Sequence, residues 1–145
     1  MLSKEEVIAK CQKNTIRVLE GTGSAPSLKD ETAQDAELIG EFLTDMECSN
    51  AVFIKVRFIA CVIDAASFQN ATFISCHFDN CSIVSSNFLE ATMINTKFNN
   101  CLIHKGNFHR ATISEGKFTD CEFMDAPNWE ASLHNVSMSE CNFNS

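Results

Sequence analysis

The side chains most suited to covalent chemistry or metal binding in this sequence are eight cysteines and four histidines. Together they could form disulfides or hold a metal ion. Five of the cysteines are spaced by twenty residues, and these are Cys61, Cys81, Cys101, Cys121 and Cys141. The structural unit that positions these cysteines must therefore repeat every twenty residues.

The repeat has a shorter unit of five residues that runs from Ala51 to Ser145. The first residue of each pentad is small, and the third is large and apolar in every pentad but one, where Asn128 stands. Helices repeat apolar residues at about 3.6 and strands at 2, so neither produces this period. A period of five requires a chain that turns a corner in every pentad, and four pentads complete one coil.

Other columns repeat with the cysteines. One column of third residues contains Phe68, Phe88 and Phe108. Like residues stack on like when successive coils lie one strand spacing apart, roughly 4.8 Å. The pattern predicts an all-β solenoid with four sides.

This two-level pattern over residues 51–145 resembles the pentapeptide-repeat family. The resemblance implies a right-handed quadrilateral parallel β-helix with 20 residues per coil. It also implies that the first and third residues of each pentad point inward.

In that arrangement neither the thiols nor the imidazoles favour chemistry. Six cysteines occupy the small inward place, which indicates buried, reduced thiols rather than a disulfide framework; they are Cys61, Cys76, Cys81, Cys101, Cys121 and Cys141. The histidines fall outward on four different faces, so they cannot share a metal; they are His77, His104, His109 and His134. We expect no catalytic residue, metal or cofactor, and no enzyme.

The N-terminal third predicts a helical cap. Ser3 and Glu6 form a capping box that begins a helix over residues 3–20, and Gly21 ends it. Residues 28–44 fit either a second amphipathic helix or pentads, and we favour the helix because Glu41 would otherwise be an unpaired buried charge. The expected division is a helical cap and linker over 1–44 and a β-helix over 45–145, with short N-terminal helices covering the first coil.

Four places on the solenoid are candidates for protein contact. Ile54, Ile74 and Ile94 form an outward stripe, which either the N-terminal helices or a partner would cover. Trp129 follows Pro127 and Asn128 at an irregular pentad, which is either a local bulge or the site of an exposed anchor. Phe143 lies in the last core layer with no cover, which predicts a homodimer through the C-terminal coils. A fourth candidate is an outward column that could dock an acidic partner, formed by Arg57, His77, Lys97 and Lys117.

The net charge of −8 and the pI near 4.9 argue against direct binding of nucleic acid. No transmembrane run and no signal peptide are visible, so we expect a cytoplasmic protein. The favoured function is a non-enzymatic protein–protein interaction scaffold with an unknown partner. From the resemblance come two alternatives, a DNA mimic that protects DNA gyrase or topoisomerase IV and a bacterial effector delivered to a host cell.

Overall fold

The computed structural model describes residues 1–125 and 129–144. Within this part of the chain, one helix, α1 (Lys4–Glu20), precedes seventeen strands of three residues each. The strands form three parallel sheets, and a fourth side is built from isolated bridges. The molecule is therefore a four-sided solenoid of about six coils, as the sequence predicts.

The four sides are named in chain order. Face 1 contains β1 (Thr32–Gln34), β3 (Val52–Ile54), β6 (Thr72–Ile74), β9 (Thr92–Ile94), β12 (Thr112–Ser114) and β15 (Ser132–His134). Face 2 contains β2 (Glu37–Ile39), β4 (Arg57–Ile59), β7 (His77–Asp79), β10 (Lys97–Asn99), β13 (Lys117–Thr119) and β16 (Ser137–Ser139). Face 3 contains β5 (Val62–Asp64), β8 (Ser82–Val84), β11 (Leu102–His104), β14 (Glu122–Met124) and β17 (Asn142–Asn144). Face 4 is the line of bridges that joins Ser27, Glu47, Ser67, Asn87 and Asn107.

Paired residues in the sheets are always twenty positions apart, as in Val52 with Thr72 and Thr72 with Thr92. On face 4 the second residue of a pentad closes a tight turn in place of a strand. The Oδ1 atom of Asn87, for example, accepts a hydrogen bond of 3.0 Å from the backbone N–H of Leu89. Short polar side chains at this place therefore explain why the fourth side forms bridges only.

Each corner is made by the fifth residue of a pentad. From Asp30 to Asp125, and again at Asn135 and Glu140, these residues adopt left-handed backbone conformations, with φ between 51° and 62° where they are not glycine. Asn and Asp tolerate this conformation best among residues with a side chain, which explains their abundance at the corners. Corner amides also join successive coils, since the Nδ2 of Asn100 donates to the Oδ1 of Asn80 at 2.7 Å.

The core is filled by the third residues, which stack in columns. In one column Phe58, Phe78, Phe98 and Phe118 have ring centroids 4.5 to 4.7 Å apart. The column of Phe68, Phe88 and Phe108 stacks at 5.0 Å. These columns of stacked, buried rings form a solid interior without a central channel.

The small first residues do more than fill space, because their polar atoms bond to the preceding coil. The Sγ of Cys81 donates to the carbonyl oxygen of Phe58 at 3.2 Å, and the Sγ of Cys101 donates to Phe78 at 3.2 Å. Ser86 makes the same bond to the carbonyl oxygen of Ile63 at 3.1 Å. Cys and Ser at the first place of a pentad thus make the same bond, Cys as a weak donor and Ser as a stronger one.

The predicted N-terminal helix is confirmed. Ser3 is its N-cap, and the capping box with Glu6 has both hydrogen bonds at 3.1 Å. Gly21 ends the helix in a left-handed conformation with φ 70°.

No helix in the described residues is long and apolar enough to cross a membrane.

The prediction of a second helix over residues 28–44 is wrong, because this segment forms the first coil and contains strands β1 and β2. Leu28, Leu38 and Leu43 point inward at pentad spacing and are buried. Glu41 does occupy the small inward place, with 9% of its surface exposed. It is not unpaired, since the hydroxyl of Thr15 on α1 lies 2.9 Å from its Oε1 atom. The coils therefore begin near Ser27, ahead of the expected boundary at residue 45.

Candidate interaction surfaces

The four histidines are distributed as the sequence indicates, one on each face. Two of them contact single acids of the next coil, at 2.6 Å between His104 Nε2 and Asp125 Oδ2 and at 3.1 Å between His109 Nδ1 and Glu130 Oε2. Among residues 1–125 and 129–144, no three side chains of the metal-binding types come together. These pairs tie one coil to the next and form no catalytic cluster.

The cysteines are free thiols, and all except the half-buried Cys141 are buried. Burial raises the pKa of Cys11 to about 12 and that of Cys76 to about 11. Within the twenty-residue column, a thiolate at Cys81 would accept hydrogen bonds from Cys101 and Cys61. Those bonds lower the pKa of Cys81 and raise the pKa of Cys61, whereas the pKa of Cys101 is raised first by its bond with Cys121 and then by its bond with Cys81. Without exposure to solvent, none of these buried thiols can act as a nucleophile.

An open cleft of about 400 Å³ lies on the outer side of α1. It is lined by Lys13, Ile16, Arg17, Glu20 and the turn that follows the helix. The guanidinium of Arg17 is already bonded to Asn14 and to the carbonyl oxygen of Thr44. Arg17 is therefore engaged within the protein and is not available to a ligand in this cleft.

At the N-terminal end, α1 closes the first coil with polar as well as apolar groups. The buried amide of Asn14 donates to the carbonyl oxygens of Phe42 and Thr44 at 2.7 and 2.9 Å. The Thr15 hydroxyl accepts from the backbone N–H of Phe42 at 2.8 Å. These groups belong to the edge where a further strand would pair, so α1 occupies its hydrogen-bonding positions. The sequence predicted that a helix covers the first coil, but it did not indicate these polar bonds, although Asn14 follows Val7 and Cys11 on one side of the helix.

At the C-terminal end, the last coil exposes the residues that every earlier coil buries. Leu133, Met138 and Phe143 occupy third places and are 44%, 38% and 57% exposed. They surround the end of the core, and the Phe143 ring stacks on Phe123 at 4.8 Å. Of the candidate residues from the sequence, Phe143 thus lies at the centre of an apolar end surface. We call Leu133, Met138 and Phe143 the apolar end.

Trp129 lies beneath this end and is not an exposed anchor. Its ring is partly buried and stacks on Phe108 at 4.8 Å, where it continues the column of Phe68 and Phe88. The backbone N–H of Arg110 bonds to Glu130, one residue further along than the equivalent bond from Glu90 to His109. This shift of one residue brings Trp129 into the core column. The bulge expected at Pro127 and Asn128 lies outside the described residues.

The isoleucine stripe runs along face 1, where Ile54 and Ile74 are half-buried and Ile94 is 41% exposed. Among the described strands, α1 packs against β1 and β2 only, so it does not cover the stripe. The stripe stays a candidate surface that is flat, narrow and partly buried by its own neighbours.

The basic column lies on face 2, with Arg57, His77, Lys97 and Lys117 in register. Arg57 is already paired with Glu37 at 3.6 Å and with Asp79 at 3.4 Å. Its charge is thus partly balanced within the face. Compared with the isoleucine stripe and the basic column, the apolar end exposes the larger cluster of apolar side chains.

Comparisons with known proteins agree on the architecture. The family model of the pentapeptide repeat region matches residues 33–108, just over half of the chain. A solved pentapeptide repeat protein from the thylakoid lumen of Arabidopsis thaliana is similar with a TM-score of 0.66 and 14% identity, over 75% of this chain and 77% of that one. No curated protein matches the sequence.

Two further solved structures have lower similarity. HetL, a pentapeptide repeat protein involved in heterocyst differentiation regulation from Nostoc sp. strain PCC 7120, has a TM-score of 0.46 and 13% identity, over 80% of this chain and 69% of its own. QnrB1, a plasmid-mediated fluoroquinolone resistance protein, has a TM-score of 0.38 and 16% identity, over 77% and 78%. At these identities the similarity concerns the fold alone.

Proposed function

This chain belongs to the pentapeptide-repeat family, and we propose that it is a non-enzymatic protein–protein interaction scaffold. The observation that carries the proposal is the apolar end, where Leu133, Met138 and Phe143 expose side chains of the core type. Exposed apolar clusters of this kind usually mark a contact with another molecule. We therefore propose the apolar end as the main docking surface.

The body of the solenoid suits this function because it holds the docking surface rigidly. Successive coils share continuous parallel ladders, and the buried rings stack in register from coil to coil. A rigid support lowers the entropy lost on binding, because the contact residues are already held in place. The comparisons indicate no enzyme family, which agrees with a role based on shape.

A second copy of the chain is one occupant for the apolar end. In such a homodimer through the C-terminal coils, the same surface would pair with itself, so Phe143 of both copies would lie in one contact. Light scattering coupled to size exclusion tests this directly. A homodimer predicts a mass of two chains for the wild type and of one folded chain for Phe143→Asp.

The alternative of a DNA mimic is less well supported by the charge distribution. A mimic of the phosphate backbone needs a continuous negative surface. Residues 51–110, which form the middle coils, contain five bases and only three acids.

A cytoplasmic location is favoured by the eight free thiols, which suit a reducing compartment.

The proposed docking surface can be tested by site-specific photo-crosslinking in cells that naturally make the protein. A photoreactive residue is placed at Met138 or, as a control, at Thr72 in the middle of face 1. We expect a discrete adduct from position 138 that disappears when Phe143→Asp is added, and none from position 72. An adduct only at position 72 would leave the scaffold function in place but move its surface. No adduct at either position would contradict the proposal.

A further inference from the structure

The charge of the solenoid changes sign toward the apolar end. Residues 51–110 contain three acids and five bases, a net charge of +2. Residues 111–145 contain six acids and one base, Lys117, a net charge of −5. The acids of this last segment are Glu115, Asp120, Glu122, Asp125, Glu130 and Glu140. The C-terminal coils are thus acidic, although the middle coils are weakly basic.

The acids of this segment surround the apolar end. All six are exposed, and four of them occupy left-handed corners, from which side chains project outward; these are Glu115, Asp120, Asp125 and Glu140. We call the six acids the acidic rim. The surface therefore has an apolar centre and a negative margin, which is the usual plan of a protein interface with a polar rim.

The rim keeps much of its charge. Glu115 accepts a hydrogen bond from the amide of Asn135 at 2.9 Å, and Glu122 accepts one from Asn144 at 3.2 Å. These donors are neutral, so they orient the carboxylates without cancelling their charge. Asp125 and Glu130 contact the imidazoles of His104 and His109, and the one base of the segment, Lys117, lies on face 2.

This charge distinguishes between two occupants of the apolar end. In an isologous homodimer each rim would face an identical rim, so the acids of both copies would repel one another. A partner with basic residues around an apolar knob would gain attraction at the margin and apolar burial at the centre. It would also be steered toward the end by the negative field during association.

We propose that the C-terminal end of the solenoid binds a partner protein whose contact surface is an apolar patch encircled by Lys and Arg. This inference rests on the scaffold function proposed above and specifies the chemistry of the partner. The occupant is cationic and amphipathic, and repulsion between two identical acidic rims disfavours a second copy of this chain.

The size of the end predicts a weak, salt-sensitive contact. A side of five residues at about 3.3 Å per residue makes a backbone square of roughly 16 Å. Such a surface lies at the small end of the range for specific interfaces, where complexes are transient. Electrostatic attraction then contributes much of the association rate, and salt should weaken binding strongly.

The test uses two fluorescent synthetic helices of about 18 residues, or five turns. Both carry Leu and Phe on one face, which is flanked by Lys in one peptide and by Glu in the other. Fluorescence anisotropy with the full chain measures their affinities. At an ionic strength of about 0.01 M, where the Debye length is about 30 Å, we expect the Lys peptide to bind at least about tenfold more tightly than the Glu peptide. Raising the ionic strength to about 0.15 M should reduce that advantage severalfold.

Two pairs of variants locate the binding. Phe143→Ser should abolish binding of the Lys peptide, whereas Ile39→Ser, which alters a 61% exposed isoleucine at the other end, should not. Asp120→Asn/Glu140→Gln should lower the affinity about threefold to tenfold, because it removes two charges of the rim. Asp35→Asn/Glu90→Gln removes two corner acids elsewhere and should change the affinity less than about twofold.

Four results would overturn the inference. Equal losses in the two double variants would mean that binding follows net charge only. Equal binding of the Lys and Glu peptides would mean that the rim selects nothing. A wild-type dimer in light scattering at the lower salt would make a second copy the occupant. If the Lys peptide fails to bind but crosslinks persist at position 138, the scaffold function stands and the partner chemistry is wrong.

Discussion

The two ends of this solenoid solve the same physical problem in opposite ways. Every β-solenoid ends in an exposed core layer and unpaired strand edges. At the first coil, α1 buries Val7 and Cys11 against the core, and Asn14 bonds to the strand edge. At the last coil, by contrast, Met138 and Phe143 remain exposed. The difference separates a stabilising end from an end suited to binding.

The N-terminal seal shows that covering an end takes polar chemistry as well as apolar surface. Hydrogen bonds from α1 and from the residues just before it reach backbone oxygens on three faces, from the N–H of Leu2 to Thr32, from Lys10 to Ser27 and from Asn14 to Phe42. An apolar helix alone would leave these oxygens unsatisfied at a cost of about 1 to 3 kcal/mol each. A partner at the C-terminal end must meet the same requirement, so we expect it to bring polar groups to the strand edges.

The largest expected difference is between a covered coil and the exposed last coil, and it concerns two core phenylalanines. Phe118 is fully buried, whereas Phe143 is 57% exposed. Phe118→Ala should lower the free energy of unfolding by about 3 to 5 kcal/mol, because it leaves a cavity. Phe143→Ala should lower it by less than about 1 kcal/mol. Denaturation of both variants in urea measures the contrast, and equal losses would mean that the last coil is covered.

A smaller effect is expected at two asparagines. Asn14→Ala removes a buried amide that donates to two carbonyl oxygens, so the free energy of unfolding should fall by about 2 to 3 kcal/mol. Asn144→Ala removes one exposed bond to Glu122 and should cost less than about 0.5 kcal/mol. If both variants were equally stable, α1 would not seal the strand edge.

The thiols of the two ends should differ in reactivity. Cys141 is half-buried, whereas Cys11 is buried and its pKa is raised to about 12. In the native chain, N-ethylmaleimide should modify Cys141 at least about tenfold faster than Cys11, because reaction needs an accessible thiolate. Peptide mass spectrometry after timed quenching measures the two rates. Modification of Cys11 first would show that α1 opens readily.

The smallest expected effect concerns the start of the cap. Ser3→Ala should lower the free energy of unfolding by about 1 kcal/mol, since it removes the N-cap of α1. Ser137→Ala at the exposed end serves as the control and should be neutral. The backbone N–H of Ser3 donates to Glu6 and lowers its pKa. The resulting stabilisation is present above the unfolded pKa and is lost as the pH falls through the folded value, and Glu6→Gln should remove this pH dependence.

The middle of the molecule could be predicted from sequence because each column repeats the same local choice. A period of five with small and large residues at fixed places fits one backbone, and the Phe68, Phe88 and Phe108 column follows from it. The ends are less regular, so the pattern says less about them. Glu41 led to the wrong prediction of a helix because it was expected to lack a partner in a coil. Its partner, the hydroxyl of Thr15, is distant in the sequence.

The position of Trp129 was not predictable for a similar reason. Strict counting of pentads assigns the central place to Asn128, whereas a shift of one residue places the Trp129 ring over Phe108. The sequence marks this pentad as irregular, but it does not indicate that the register shifts by one residue. The acidic rim, in contrast, was visible in the sequence as acids at every fifth position from Glu115 to Glu130, but its meaning depended on the exposed apolar end.

Hydrogen exchange of the full chain, with and without the Lys-flanked peptide, tests the contrast between the ends most directly. In the free chain, amides of the last coil (β15, β16 and β17) should exchange faster than those of residues 32–44 in the first coil, since uncovered ends fray. Adding the peptide should slow exchange in the last coil only. Equal exchange at both ends, or protection confined to another part of the solenoid, would contradict an open docking surface at the C-terminal end.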